Sequence, residues 1–426
     1  MYFLHLNLNN IMKNIYLLVL IGSVLMGNQH ANAQTSESQT EQFQNRIVDS
    51  IFSKTLGESR DFWLRLPGDF QPDNDKKYAV IYLMDGFSLE RTLEAVYDNY
   101  WGHYLPNMIL VGVSNRKNRT RDLTTSQIKM RRGSTFNYET GGAENFTKFM
   151  EEELIPYIDS KYPTIAYRTL IGHSHAGQFT INMLINHAHL FQNYIAIDPT
   201  LDWDNQKLLK QAKEKFKSED YTGKSLFVSL AAEMLHIQNE SITIDNVMSD
   251  TSEFSLPARS ILEFSQLAKS QNQLNFSSKV YHEDLHGTVP LPTIRDGLIF
   301  LFEWYQFKSP QKYNNPETPI EVLVTLLKEQ EQIYTEHFGV PTAPMIDEML
   351  NGYGYMNMQM GQPKKAFMFF ELNIKYNPKN ATAYESMANY YESENDKVNA
   401  LKYLNKAFEL SAKDYYKERI EALNEK

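Results

Sequence analysis

The chain contains no cysteine. That absence excludes disulfides, thiolate nucleophiles, cysteine-ligated metals and lipid attachment at a cysteine. Positive charge is also scarce: 42 Lys and Arg stand against 52 Asp and Glu, a net charge of −10. A phosphate-binding face needs a surplus of cations, so nucleic acid is not an expected partner. Long apolar runs are missing too, apart from one near the start. There, Lys13 precedes the apolar stretch 15–26, and Ala31-Asn32-Ala33 follows. A positive start, an apolar middle and an A-x-A site form a secretory signal, with cleavage before Gln34. Met12 would open that signal equally well. The apolar run is short for a bilayer span, so the mature protein is expected to be exported, soluble and not inserted in a membrane. Export without disulfides fits a bacterial envelope, periplasmic or secreted.

What is present divides into two patterns. Residues 34–45 form a polar leader. From 46 to 306, short apolar runs alternate with helical periodicity. Runs at 78–83, 108–113, 168–172, 194–197, 225–231 and 276–281 read as strands, the first two buried on both faces. Residues 60–66 alternate as a half-buried strand before the Pro67-Gly68-Asp69 turn. Helices are expected at 143–158, from 175 to 190, and at 205–217, 257–269 and 291–305. This order predicts an α/β fold with a mostly parallel sheet covered by helices on both sides.

After a linker at 307–319 the strands stop, and 320–426 reads as all-α. Leu350, Gly354, Ala366, Phe370 and Pro378 recur 34 residues later as Tyr384, Ala388, Ala400, Leu404 and Ala412. The period and the small residues resemble tetratricopeptide repeats, in which each unit is a helical hairpin. Such a unit would either dock on the preceding domain or bind a protein partner.

The chemistry concentrates at Gly172-His173-Ser174-His175-Ala176-Gly177, between a predicted strand and a predicted helix. A serine on a sharp strand-to-helix turn needs small neighbours, and the helix start aims amides at a developing oxyanion. Ser174 is the expected nucleophile and the His175 N–H one oxyanion donor. Ala176 replaces the usual glycine. His286, after the last strand of the domain, is the expected base, since this fold runs Ser, acid, His along the chain. A carboxylate should follow the strand 225–231, where Glu233 is nearest; Asp245, Asp250 and Glu253 lie further on, and a Ser–His dyad is the alternative. Gly86 and Phe87, after the strand 78–83, are expected to supply the second oxyanion donor.

Taken together, Tyr82 to Gly86, Val111 to Asn115 with Arg119 to Thr124, the Ser174 turn, Asp198-Pro199-Thr200-Leu201-Asp202-Trp203, and His286 to Pro290 resemble one family. It is the esterase family of α/β-hydrolases that contains ferric-enterobactin and salmochelin esterases. The resemblance covers roughly 46–306. It implies an α/β-hydrolase fold, an acyl-serine intermediate on Ser174, His286 as base, Glu233 as acid, no metal and no cofactor. It also places Arg119 and Arg121 near the mouth of the site, either meeting an anionic ester substrate or bracing a loop through an Arg–Asp pair. Trp203 is either a wall of the acyl pocket or a core aromatic. Acyl transfer, or a scaffold built on an inactive hydrolase, are the rival functions.

Overall fold

The computed structural model describes residues 46–72, 76–131, 133–233, 235 and 239–425. The signal and leader expected at 1–45 lie outside them.

Eight strands form one sheet in the order β1-β2-β4-β3-β7-β8-β9-β10. They are β1 (Arg46–Ser53), β2 (Glu58–Arg65), β3 (Tyr78–Leu83), β4 (Met108–Val113), β7 (Thr164–His173), β8 (Asn193–Ile197), β9 (Lys224–Ala231) and β10 (Leu274–Tyr281). The remaining pair, β5 (Met130–Arg131) and β6 (Ser134–Thr135), makes a separate small hairpin. β1 and β2 are antiparallel to their neighbours and the other six strands run parallel. The continuous apolar runs are the central strands: β3, β4 and β8 are buried throughout. β1 was not among the expected strands. It alternates half-buried with exposed residues at the sheet edge, a weak signal in a single sequence.

The pleat sends alternate residues into two cores. Val80 and Tyr82 join Phe146, Phe149 and Phe179 on one face. Ala79, Ile81 and Leu83 join Leu93, Leu298 and Tyr334 on the other. Three segments cover the first face where one helix was expected: α3 (Ala143–Lys148), a π-helical turn (Phe149–Leu154) and α4 (Ile155–Lys161). α5 (His175–Asn186), α6 (Trp203–Ser218) and α7 (Leu256–Lys269) complete that layer. The second face carries α1 (Gly86–Tyr100) and α8 (Pro290–Leu301), while the short α2 (Arg119–Leu123) lies near the strand ends.

The C-terminal part is helical: α9 (Ile320–Phe338), α10 (Asp347–Gln359), α11 (Pro363–Tyr376), α12 (Ala381–Ser393), α13 (Lys397–Ser411) and α14 (Asp414–Glu425). α10 packs on α11 and α12 on α13 as hairpins. The small repeat positions are packing sites: a Cβ on Gly354 would lie 2.3 Å from the Phe370 ring, and Ala388 packs in one cluster with Leu404. α9 belongs to both parts. Tyr334 stacks on Tyr305 at 4.4 Å, His337 lies flat on Trp304 at 3.9 Å, and Phe338 meets Tyr167 of β7 edge-on at 5.3 Å. None of the described helices is long and apolar enough to cross a membrane.

Tyr334 is fully buried and its hydroxyl donates to the Tyr305 carbonyl. Tyr334→Ala is therefore expected to lower stability by about 3–5 kcal/mol, as for other large aromatic truncations. Urea unfolding should show that loss in the hydrolase transition, because the ring fills the same core as the strands.

Candidate active site

The nucleophile turn is built by close approach. Ser174 follows β7 directly and takes φ 62°, ψ −116°, a backbone that L-residues rarely adopt. Its neighbours must be small: a Cβ on Gly172 would sit 2.2 Å from the Ala176 carbonyl oxygen, and one on Gly177 would sit 3.0 Å from that of Ile197. The methyl of Ala176 is buried in the core, so the departure from glycine there is accommodated. The Ser174 N–H donates to the Ile197 carbonyl at 2.9 Å, and its own carbonyl accepts from Gln178 and Thr200. Its Oγ lies 3.4 Å from Thr200 Oγ1.

His286 stands in the loop after β10, pinned by Thr288, whose Oγ1 accepts from the Leu285 N–H and donates to Asp284. Its Nδ1 is 2.6 Å from Asp198 Oδ2. That pairing leaves Nε2 as the nitrogen available to a serine proton. The carboxylate on His286 thus comes from Asp198, not from Glu233. Asp198 ends β8 at φ 41°, and its Oδ1 accepts the Ala231 N–H at 3.2 Å. Glu233 follows β9 as expected but acts through its backbone, its N–H donating to the Asp284 carbonyl at 3.3 Å. Chain order allows either residue. The short reach from β8 and the left-handed backbone at Asp198 decide between them. The signal available in the sequence was an aspartate standing directly between a buried strand and a proline.

Two more imidazoles flank the serine. The His173 ring lies 4.4 Å from that of His286, and His175 meets Trp203 edge-on at 5.2 Å. Burial, helped by the nearby positive groups at His286 and Arg119, holds His173 down at about 3. Burial with Arg119 and Arg131 does the same for His175, also at about 3. Both rings are therefore neutral at neutral pH, and neither competes with His286 for the serine proton.

Two helix starts are tied together here, because Arg119 joins Asp85, before α1, to His173, before Ser174. In α5 the first backbone bond runs from Gln178 to Ser174, so the amides of His175 to Gly177 precede any intrahelical partner. In α1 the Ser88 and Leu89 amides both donate to the Asp85 carbonyl, which leaves those of Gly86 and Phe87 ahead of the first bond. Neither helix has a side-chain cap. Gly86 lets α1 sit on the sheet, because a Cβ there would lie 2.3 Å from the Gly112 backbone. The amides of His175, Gly86 and Phe87, the expected oxyanion donors, are thus among those left ahead of the first intrahelical bond.

The three residues expected to touch substrate are engaged elsewhere. Arg119 holds Asp85 through Nε and Nη2 at 2.8–2.9 Å, and Nη2 also reaches the His173 carbonyl at 3.1 Å. Arg121 is bonded to Glu58 at 2.6 Å and to Asp122 at 2.8 Å. Asp122 is fully buried and also paired with Arg60. Burial raises its carboxyl above the usual range, against the opposing pull of Arg60 and Arg121. Arg121 is therefore a brace of the loop, not a ligand for substrate. Trp203 is buried, donates to the Ser126 carbonyl at 3.2 Å, and backs His175 instead of facing solvent. It precedes three left-handed residues, Asp204, Asn205 and Gln206, at φ 47°, 53° and 61°. Arg131 over its ring at 5.0 Å and the Gln206–Ser260 hydrogen bond at 2.8 Å hold this turn. A cavity of about 250 Å³ opens beside the site between Phe87, Asn115, Arg116, Arg119 and His173. Among the described residues, no three His, Asp or Glu side chains converge as metal ligands.

The esterase family described as "Putative esterase" matches residues 53–286. The chain belongs to that family. It is a serine-hydrolase type of esterase on an α/β-hydrolase fold. Among its relatives, the ferri-bacillibactin esterase BesA of Bacillus subtilis is 30% identical over 207 residues, 44% of this chain and 71% of that protein. The siderophore enterobactin esterase of Emericella nidulans is 28% identical over 38% of this chain and 56% of its own length. Among solved structures, an IroE-like serine hydrolase from Shewanella oneidensis superposes with a TM-score of 0.63, at 24% identity over 78% of this chain and 99% of that one. It shares the fold.

Two expectations follow. Asp198→Asn should lower kcat by up to about 10⁴-fold, the scale known for a misdirected histidine tautomer, while Glu233→Gln leaves kcat unchanged in the same steady-state assay. His173 and His175 bind protons in the unfolded chain but not in the fold between about pH 3 and 6.5. Their contribution to stability is complete above pH 6.5 and is lost as the pH falls through that window. Urea midpoints taken from pH 7 to pH 4 should fall less steeply for His173→Asn than for the parent.

Proposed function

We propose that this esterase is exported and cleaves siderophore-type carboxylic esters through an acyl-Ser174 intermediate. The observation that carries the reading is the strained Ser174 at the uncapped start of α5, together with His286, which pairs with Asp198 and lies 4.4 Å ring to ring from His173. Ser174 Oγ attacks the ester carbonyl carbon while His286 Nε2 takes its proton. Negative charge gathers on the former carbonyl oxygen, where the amides of His175 and of Gly86 or Phe87 receive it. The ester C–O bond breaks, and the leaving alkoxide takes the proton back from His286. Water then repeats the sequence on the acyl-enzyme, releasing acid and free serine.

The substrate class rests on relatives whose names give ferri-bacillibactin and siderophore enterobactin as what they cleave. Export rests on Lys13, the apolar run to Met26 and the Ala31-Asn32-Ala33 site. Inside this reading, the helical part is a docked companion of the hydrolase, since α9 shares its core.

A fluorophosphonate probe should label the parent and neither Ser174→Ala nor His286→Ala. Ser174→Ala should lose about 10⁴-fold or more in kcat on a catecholate trilactone, followed as release of linear ester by chromatography. An unlabelled but folded parent would sink the enzyme reading; labelling without lactone cleavage would sink the substrate. Protein collected from the envelope of an expressing bacterium should begin at Gln34 by mass spectrometry.

A further inference from the structure

An aspartate at the N-cap of a helix normally turns its carboxylate onto the first free amides. Asp85 occupies that position on α1, at φ 53°, and makes no such bond. Its two oxygens are taken by Arg119, with contacts at 2.8–2.9 Å. The same guanidinium reaches past Asp85 to the carbonyl of His173, the residue before Ser174. Asn115 completes the grip, its Oδ1 accepting the Asp85 N–H at 3.2 Å. Asn115 is fully buried.

We infer that Arg119 is a positioning residue that keeps the oxyanion amides of Gly86 and Phe87 open by drawing the Asp85 carboxylate off the α1 N-terminus. One side chain then performs two tasks. It ties the turn after β3 to the end of β7, which sets the spacing between the two amide sources. It also prevents a self-capped state in which a carboxylate occupies the place of the oxyanion. Without Arg119, Asp85 returns to the helix start, where the helix dipole and the free amides favour it. There it blocks the donors and repels the charge that develops on the substrate. This account rests on the acyl-serine reading above, but it predicts a pattern that the reading alone does not.

The test is a two-residue cycle, Arg119→Ala, Asp85→Ala and the double variant, with Arg119→Lys as the conservative change. kcat and KM are measured on a neutral and an anionic p-nitrophenyl ester, with circular dichroism and thermal melts as the fold control. Arg119→Ala should lower kcat by about 10²-fold on both esters with KM unchanged, the scale of one lost oxyanion donor. The double variant should recover about tenfold of that loss, because the blocking carboxylate is gone. Arg119→Lys, which keeps charge but loses the two-pronged grip, should fall between parent and Arg119→Ala. A double variant no faster than Arg119→Ala overturns the inference, as does an unchanged kcat. So does a KM rise confined to the anionic ester, which would make Arg119 a substrate contact. If Arg119→Ala does not fold, the comparison of Arg119→Lys with Arg119→Lys/Asp85→Ala carries the same test. Failure of the parent to react with fluorophosphonate would instead strike the acyl-serine reading itself.

Discussion

Everything at this site depends on two helices that begin without caps. A free helix start costs stability, since its amides go without partners. The chain accepts that cost twice within one cleft, at α1 and at α5. At α5 the residue in the cap position is Ser174, at φ 62°, and its side chain makes no bond to the first amides. At α1 a residue well suited to capping is present and is held off by an arginine. Two helices of the C-terminal part do carry side-chain caps: Asn380 and Asp396 each accept an amide from the first turn of their helices. Other helices also start without a side-chain cap, so what sets α1 and α5 apart is their place beside Ser174 and the Arg119 bridge.

The electrostatics around the serine follow from burial more than from paired charges. Three imidazoles lie within one patch, yet burial keeps two of them neutral, so only His286 is exposed to solvent and coupled to a carboxylate. Neutral neighbours favour any step in which His286 takes up a proton. A second cation 4.4 Å away would oppose that step. The ion-paired group of Glu58, Arg60, Arg121 and Asp122, of which Arg60 and Asp122 are buried, is kept to one side, where it stiffens the loop that carries Arg119.

Much of this was legible in the residue order. Buried parallel strands announce themselves as unbroken apolar runs, and the Ser174 turn as a cluster of small residues between a strand and a helix. His286 followed from position alone. What stayed hidden depends on contacts between distant residues. Asp198 and Glu233 both stand after strands and both precede His286; only the three-dimensional reach of each loop separates them. Arg119 and Arg121 carry the same charge two positions apart, but one meets Asp85 and the other Glu58, partners far off in the chain. Trp203 looked equally suited to pocket or core, and the left-handed turn after it, which settles the matter, carries no glycine to betray it. β1 was faint because an edge strand gains its order from its neighbour's hydrogen bonds and not from its own burial.

The sharing of α9 between the two parts changes what counts as a unit. By composition the chain divides after its last strand, and by pattern the repeats begin still later. Tyr305, Trp304 and Tyr167 nevertheless present an aromatic face that only α9 covers. The segment that shares the hydrolase core is therefore longer than the segment that carries the strands. A cut between the strands and the repeats would therefore have to fall after α9, or leave the rings of Trp304 and Tyr305 facing water.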